Sequence, residues 1–172
     1  MSQTESVPPK VACVPLTLAD HERMPHRYVN MVELPCSADA LFDVFEDEHS
    51  WPKWAPGIGR VDWTSPKPYG VGTTRTVTFW GGAQVFEQFS DWERGRLLVF
   101  TFLGTSEEIW ARFGERYDVE ALGADRCRLT WTVSYDPIGG FGKVHPYIRP
   151  VMALNFKMYM WRLRRYCARL PR

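Results

Sequence analysis

Several charged and amide side chains lie at positions where strand and helix periodicity predicts an inward-facing side chain. In residues 109–119 every second residue is apolar except Glu115. Asn155 and Arg162 likewise share a face of the C-terminal helical segment with apolar residues. Because a buried charge is costly unless it is paired, we expect a Glu115–Arg162 pair, or a pair that uses Glu87 or Arg75. Such groups would orient a ligand carboxylate, carbonyl or hydroxyl; the alternatives are a structural ion pair or an Arg162 side chain that reaches water.

Tyrosine hydroxyls and one histidine are the candidate proton donors. Tyr117, Tyr135 and Tyr159 could donate hydrogen bonds to a ligand carbonyl, or they could be core tyrosines with the hydroxyl at the rim. His145 follows the glycine-rich segment 139–142. General acid or base catalysis would require a partner and a suitable pKa, and neither is visible, so a surface histidine is favoured. The catalytic candidates are Tyr117, Tyr135 and His145.

Motifs for metals, phosphates and activated nucleophiles are not found. The histidines lack the spacing of metal ligands; they are His21, His26, His49 and His145. The cysteines form no C-x-x-C pair, which favours reduced thiols in the cytoplasm; they are Cys13, Cys36, Cys127 and Cys167. We therefore predict no metal and no cofactor.

Charge and composition limit the class of partner. The 21 basic and 20 acidic residues give a net charge of +1, so no overall field favours nucleic acid. The basic residues near the C-terminus are interpreted as a solvated helix face. The N-terminus does not resemble a signal peptide, and no apolar run approaches the length of a membrane span, so no stable membrane insertion is expected. The oligomeric state is left open.

The secondary-structure elements that must position these residues can be predicted in order along the chain. The pattern predicts a first strand at 27–35, a helix at 38–47 capped by Ser37, and an aromatic corner at Trp51–Gly57. Strands follow at 58–65, 73–80, 83–92, 96–103, 109–121 and 126–135, and their short links indicate antiparallel neighbours.

The last predicted element is a long helix within 143–169. Proline is tolerated only in a first turn, which predicts that the regular helix begins near Pro150. Its predicted inner face comprises Val151, Asn155, Met158, Tyr159, Arg162, Leu163 and Tyr166. The fold class is therefore α+β, with a seven-stranded curved antiparallel sheet around a long C-terminal helix.

A high aromatic content of 15% suits either a ligand cavity or a bulky core. The predicted cavity between sheet and helix would be walled in part by the aromatic corner. The candidate ligand-binding residues are Trp54, Phe79, Glu87, Phe113, Glu115, Tyr117, Trp131, Tyr135, Asn155, Tyr159 and Arg162.

Four segments resemble a known superfamily. They are VELPCSADALFDVFED at 32–47, WPKWAPGIGRVDW at 51–63, EQFSDWERGRLLVFTF at 87–102 and RCRLTWTVSYDPIGGFG at 126–142. Together with the long helix they resemble the polyketide cyclase/dehydrase-like branch of the START-like (SRPBCC) superfamily. The resemblance implies a helix-grip domain over 26–170 with a hydrophobic cavity. Residues 1–25 are polar and rich in proline, which predicts an N-terminal extension that is partly ordered at most.

The resemblance leaves function open, because one fold carries many activities. The leading hypothesis is binding of a hydrophobic small molecule, such as a lipid, a sterol-like molecule or an aromatic polyketide. The alternatives are a polyketide cyclase/dehydratase-type enzyme that uses the same cavity, and a small coenzyme- or lipid-carrying chaperone or regulatory interaction protein.

Overall fold

The computed structural model describes residues 9–171, and its main element is a curved antiparallel sheet. The spatial order of the seven long strands is β2-β8-β7-β6-β5-β4-β3, and a two-residue strand, β1, pairs with β6. The strands are β1 Val11–Ala12, β2 His26–Leu34, β3 Ile58–Trp63, β4 Thr74–Phe79, β5 Gln84–Glu93, β6 Leu97–Thr105, β7 Trp110–Gly123 and β8 Arg126–Pro137. The predicted α+β helix-grip architecture is confirmed.

Two short helices connect β2 to β3, as the sequence predicts. Helix α1 spans Ala38–Glu46, and the Ser37 hydroxyl caps it by accepting a hydrogen bond from the Ala40 amide at 3.1 Å. Helix α2 is a single turn, Trp51–Trp54, with Pro52 in its first turn, where a missing amide donor costs little. These helices bring the aromatic corner against one end of the sheet.

The C-terminal helix α3 begins earlier than predicted. It spans Gly139–Cys167 and contains both Pro146 and Pro150. Each proline removes an amide donor, but tertiary contacts hold this stretch: the Tyr28 hydroxyl donates to the Arg149 carbonyl at 2.8 Å. The surface position predicted for His145 is also wrong, because its side chain is buried and lies 2.8 Å from the Tyr135 hydroxyl.

The predicted inner face of α3 is partly wrong in phase. Val151 and Met158 are 67% and 39% exposed, whereas the residues buried along the helix beyond His145 are Phe156, Met160, Leu163 and Cys167. Apolar residues occupy both sides of α3, so periodicity alone does not show which side faces the sheet. Leu163 is the predicted inner residue that is fully buried.

The chain before β2 packs against the sheet from residue 9 onward, while residues 1–8 of the predicted extension lie outside the described range. β6 pairs with β7 only along Leu97–Thr101, and the N-terminal segment occupies the gap beyond. There the Cys13 amide donates to the Leu103 carbonyl at 3.0 Å, and the Val14 amide donates to the Ala111 carbonyl at 2.9 Å. Residues 11–14 thus bridge two diverging strands.

Candidate functional site

A cavity of about 320 Å³ lies between the concave face of the sheet, α2 and α3. Its walls are mainly aromatic and aliphatic, and α3 contributes Met152, Asn155, Phe156 and Tyr159. The volume is at the lower end of the range for small-molecule sites, and the apolar lining is typical of them. Only a few ionisable groups interrupt this lining.

A buried ion pair forms one polar part of the cavity wall. Arg75 on β4 and Glu87 on β5 are directly opposite each other, and the Arg75 Nε lies 2.5 Å from a Glu87 carboxylate oxygen. Their side chains are 1% and 5% exposed, so water screens neither charge. Burial raises the pKa of Glu87, and the Arg75 guanidinium offsets part of that rise.

Aromatic rings surround the other faces of the Arg75 guanidinium. Its carbon lies 4.2 Å from the centroid of the Trp51 ring and 4.9 Å from that of Phe100, within the distance of cation–π contacts. One of its nitrogens, Nη1, has no hydrogen-bond partner among residues 9–171. Arg75 therefore retains an unused donor at the cavity wall.

Glu115 is the second polar feature of the cavity. One oxygen of its carboxyl accepts hydrogen bonds from the Tyr117 hydroxyl and, at 2.8 Å, from the Trp131 indole nitrogen. Burial, reinforced by the nearby Glu87 charge, raises the pKa of Glu115 to about 7, although the two hydrogen bonds act in the opposite direction. The carboxyl thus exchanges its proton near neutral pH.

This raised pKa predicts a pH-dependent stability. In the unfolded chain a glutamate has a pKa of about 4.3. Between that pH and about pH 7, the Glu115 carboxyl is mostly protonated in the folded state and mostly ionised in the unfolded state. The stabilisation is therefore complete below the unfolded pKa and is lost as pH rises through the folded pKa. Relative to Glu115→Gln, which stays neutral, the wild type should lose about 2 kcal/mol of unfolding free energy between about pH 5 and about pH 8.

Urea unfolding of both proteins across this pH range measures the difference. Gln keeps an acceptor oxygen for Tyr117 and Trp131, so the comparison isolates the ionisation. A difference that stays constant with pH would contradict the assignment.

The aromatic corner closes one side of the cavity. Trp51 and Trp54 are buried with ring centroids 4.8 Å apart, and the Trp51 indole nitrogen donates to the Phe45 carbonyl at 3.0 Å. The chain leaves the corner through Gly57, whose φ of +101° favours glycine. The Tyr159 hydroxyl donates to the Pro56 carbonyl at 2.5 Å, which ties α3 to the corner.

Most of the predicted ligand-binding residues meet at this cavity. The lining includes Trp54, Phe79, Glu87, Phe113, Glu115, Tyr117, Trp131, Asn155 and Tyr159. Tyr135, Arg162 and His145 are not among the lining residues. Tyr135 on β8 contacts His145 in the N-terminal part of α3, and Arg162 donates to the Lys53 carbonyl at 3.0 Å.

The expected Glu115–Arg162 pair does not form. Arg162 lies on the side of α3 toward Lys53, while Glu115 is satisfied by Tyr117 and Trp131. The ion pair at the cavity instead joins Arg75 and Glu87, the two residues that the sequence offers as alternative partners for Arg162 and Glu115, to each other. The register between β4 and β5 determines this outcome, because it places these two residues opposite each other.

Several lining residues were absent from the predicted site. The sequence suggests Arg75 only as an ion-pair partner, although period-two spacing with Val77 and Phe79 places it on the same face of β4. The predicted inner face of α3 excludes Met152 and Phe156, because its phase is wrong. The strand register is required to assign three further residues to the cavity face of the sheet: Phe100, Phe102 and Trp110.

Other site types are not apparent in residues 9–171. No group of three or more His, Cys, Asp or Glu side chains there could hold a metal ion. The four cysteines are buried and unpaired within this range. None of the described helices has the length and apolar character required to cross a bilayer.

Comparison with known proteins agrees with the fold. Proteins of Mycobacterium tuberculosis and Mycobacterium bovis, both described as uncharacterized, are 36% identical over 154 residues, which cover 90% of this chain and 92% of each relative. The Zhui aromatase/cyclase from a Streptomyces species superposes with a TM-score of 0.69 at 13% identity, over 84% of this chain and 94% of that one. A START superfamily protein from Mycobacterium smegmatis gives a TM-score of 0.59 at 12% identity, over 80% and 99%.

The sequence also matches a family profile over most of its length. Residues 25–167 match the family described as polyketide cyclase / dehydrase and lipid transport. This match supports a role in binding hydrophobic ligands or in cyclisation. The chain therefore belongs to the polyketide cyclase / dehydrase and lipid transport family.

Proposed function

We propose that the protein binds a hydrophobic small molecule, such as a lipid, a sterol-like molecule or an aromatic polyketide, in its internal cavity. The observation that carries the proposal is an apolar, aromatic cavity of about 320 Å³ that contains a few buried polar groups. Burial of ligand surface would supply most of the affinity, at roughly 25 cal/mol per Å² before ordering costs.

The polar groups favour a ligand with one polar end. The Arg75 Nη1 donor has no partner among the described residues, and Glu115 and Asn155 also line the cavity. A ligand hydroxyl or carbonyl near these groups would replace hydrogen bonds that it loses on leaving water, whereas a purely apolar ligand would leave the Arg75 Nη1 donor unpaired. Orientation of the ligand then follows from the position of the polar wall.

Binding of 2-naphthol, followed by calorimetry, tests the cavity directly. Val77 lines the cavity and is 2% exposed, so Val77→Phe should fill part of the space and weaken 2-naphthol binding about tenfold or more. Val71→Phe is the matched control, because Val71 is 69% exposed and is not among the lining residues. The control should bind 2-naphthol as the wild type does.

Equal affinities of wild type and Val77→Phe for 2-naphthol would contradict the proposal. Circular dichroism and thermal unfolding of both variants would separate a blocked cavity from a misfolded chain. Naphthalene, which lacks the hydroxyl, should bind more weakly than 2-naphthol if the polar wall contributes.

A cyclase/dehydratase-type enzyme is the second candidate, and Glu115 favours it. A carboxyl with a pKa of about 7 can both donate and accept a proton near neutral pH. It also lies beside the Tyr117 hydroxyl at the cavity wall. In a dehydration, the protonated Glu115 would donate its proton to a leaving hydroxyl as the C–O bond breaks, and the resulting carboxylate would take the proton of the neighbouring carbon, which forms a C=C bond and releases water.

Mass spectrometry of the small molecule that co-purifies from the native host distinguishes the two functions. After incubation with fresh protein, an unchanged mass with an unchanged fragmentation pattern supports binding alone, and loss of one water or a fragmentation pattern altered by ring formation supports the enzyme. If conversion occurs, Glu115→Gln should slow it by about 10²–10⁴-fold. Conversion that is unaffected by Glu115→Gln would remove this residue from the mechanism.

A further inference from the structure

The solvent-facing side of α3 carries an apolar stripe, which we call the outer stripe. Its members are three or four residues apart and 39–83% exposed: Val144, Tyr147, Val151, Leu154, Met158 and Trp161. This spacing places them on one face of the helix, opposite the face of Met152, Phe156 and Leu163 that packs inward. An exposed helix face is normally polar, and a continuous apolar patch of this kind marks an interaction surface.

The same helix contains no acidic residue. Its cations are Lys143, Arg149, Lys157, Arg162, Arg164 and Arg165. Within residues 9–171 none of them forms a salt bridge. Removing these six from the 21 basic and 20 acidic residues leaves a remainder with a formal charge of −5. The near-neutral net charge of the chain therefore combines a strongly positive helix, α3, with a negatively charged remainder.

The positive charge and the outer stripe meet at the C-terminal half of α3. Arg162, Arg165 and Arg169 line a surface groove with Lys53 and Trp161. The Arg165 guanidinium carbon lies 4.8 Å from the centroid of the Trp161 ring. Four cations around one groove create a site for anionic groups directly beside an exposed indole.

We propose that the outer stripe and its cations bind the surface of a membrane that contains anionic lipids, with α3 lying in the plane of the interface. The apolar side chains would enter the boundary between headgroups and acyl chains, Trp161 would lie at headgroup depth, and the cations would contact lipid phosphates. This is docking on the surface rather than insertion across the bilayer. The proposal rests on the outer side of α3 and does not depend on the cavity ligand.

Charge complementarity selects this occupant over two others. A second copy packed stripe to stripe would bring two acid-free helices together, and their like charges would repel. A nucleic acid would satisfy the cations but leave the apolar stripe in water. An anionic membrane satisfies both features at once.

Co-sedimentation of the full-length chain with vesicles tests the proposal. The protein should bind vesicles of phosphatidylcholine with phosphatidylglycerol, should bind pure phosphatidylcholine far more weakly, and should dissociate as salt is raised. The double substitution Leu154→Gln/Trp161→Gln should weaken binding to the anionic vesicles about tenfold or more, and Arg164→Gln/Arg165→Gln should weaken it similarly. The matched control is Val71→Gln/Trp80→Gln, which changes residues 69% and 70% exposed outside α3 and should bind as the wild type does.

Four results would overturn the proposal. They are no binding of the wild type to anionic vesicles, equal losses in the stripe and control variants, a dimer in sedimentation equilibrium that the stripe variant abolishes, and binding to duplex DNA as tight as to vesicles. The third result assigns the stripe to a second copy, and the fourth assigns the cations to a nucleic acid. Circular dichroism and 2-naphthol binding of each variant provide folding controls, since none of the substituted residues lines the cavity.

Discussion

Arg75→Met is expected to lower the free energy of unfolding by about 3–5 kcal/mol, because it leaves Glu87 buried without its partner. The methionine retains much of the packing against Trp51 and Phe100, so the loss reports mainly the charge. Urea unfolding at neutral pH measures it. At acidic pH the loss should shrink, since Glu87 can then be buried as a neutral carboxyl.

Two further variants define the cause of this loss. Arg75→Met/Glu87→Gln removes both charges and should recover most of the stability. Arg96→Met is the matched surface control: Arg96 pairs with Glu93 at 2.6 Å, but the side chains are 70% and 55% exposed, so water screens the pair and its loss should cost far less than that of the buried pair. Similar losses in Arg75→Met and Arg96→Met would show that the buried pair has no special role.

Deleting residues 1–16 is expected to lower the free energy of unfolding by about 3 kcal/mol. The deletion exposes the surface covered by Cys13 and Leu16, which are 6% and 2% exposed. It also removes the amides that donate hydrogen bonds to the Leu103 and Ala111 carbonyls. The Leu16 amide also donates to the Thr101 hydroxyl at 2.8 Å, which loses this contact. In the full-length chain, ordering residues 9–16 costs conformational entropy, which offsets part of the stability that these contacts provide.

A glycine substitution tests the same contact without shortening the chain. A Cβ on Gly104 would lie 2.5 Å from the Pro9 Cβ and 2.8 Å from the Val11 carbonyl oxygen, so Gly104→Ala should displace the N-terminal segment. Gly123→Ala is the control, because its Cβ would meet nothing within 4 Å. In the truncated chain Gly104→Ala should have no further effect, and additive losses would contradict a shared cause.

Strand periodicity was the most informative signal in the sequence. Alternation in 109–121 and 126–135 predicted that Glu115, Tyr117 and Trp131 share one face, and the structure joins them in one hydrogen-bonded cluster at the cavity. Alternation works here because one face of each strand is apolar. Their roles in binding or catalysis stay predictions.

Features that depend on distant contacts could not be predicted in the same way. The two residues of β1 pair with Gly104 and Thr105, and so short a strand has no periodicity to detect. The start of α3 depends on tertiary contacts of Tyr28 and Tyr135, which outweigh the local effect of Pro146 and Pro150. The side of α3 that faces the sheet required the structure, because the outer stripe resembles a core face.

The pairing of β2 with β8 has a consequence for how the chain folds. Partners such as Val32 and Leu129 are about a hundred residues apart, so this contact closes a large loop and should form late. The hairpins from β3 to β8 can form first from neighbouring sequence, while β2 remains an unpaired edge. During synthesis on the ribosome, β2 would emerge early and would remain unpaired until β8 is synthesised. Sequences in β2 that resist aggregation during this delay would therefore matter for yield, independently of the stability of the finished fold.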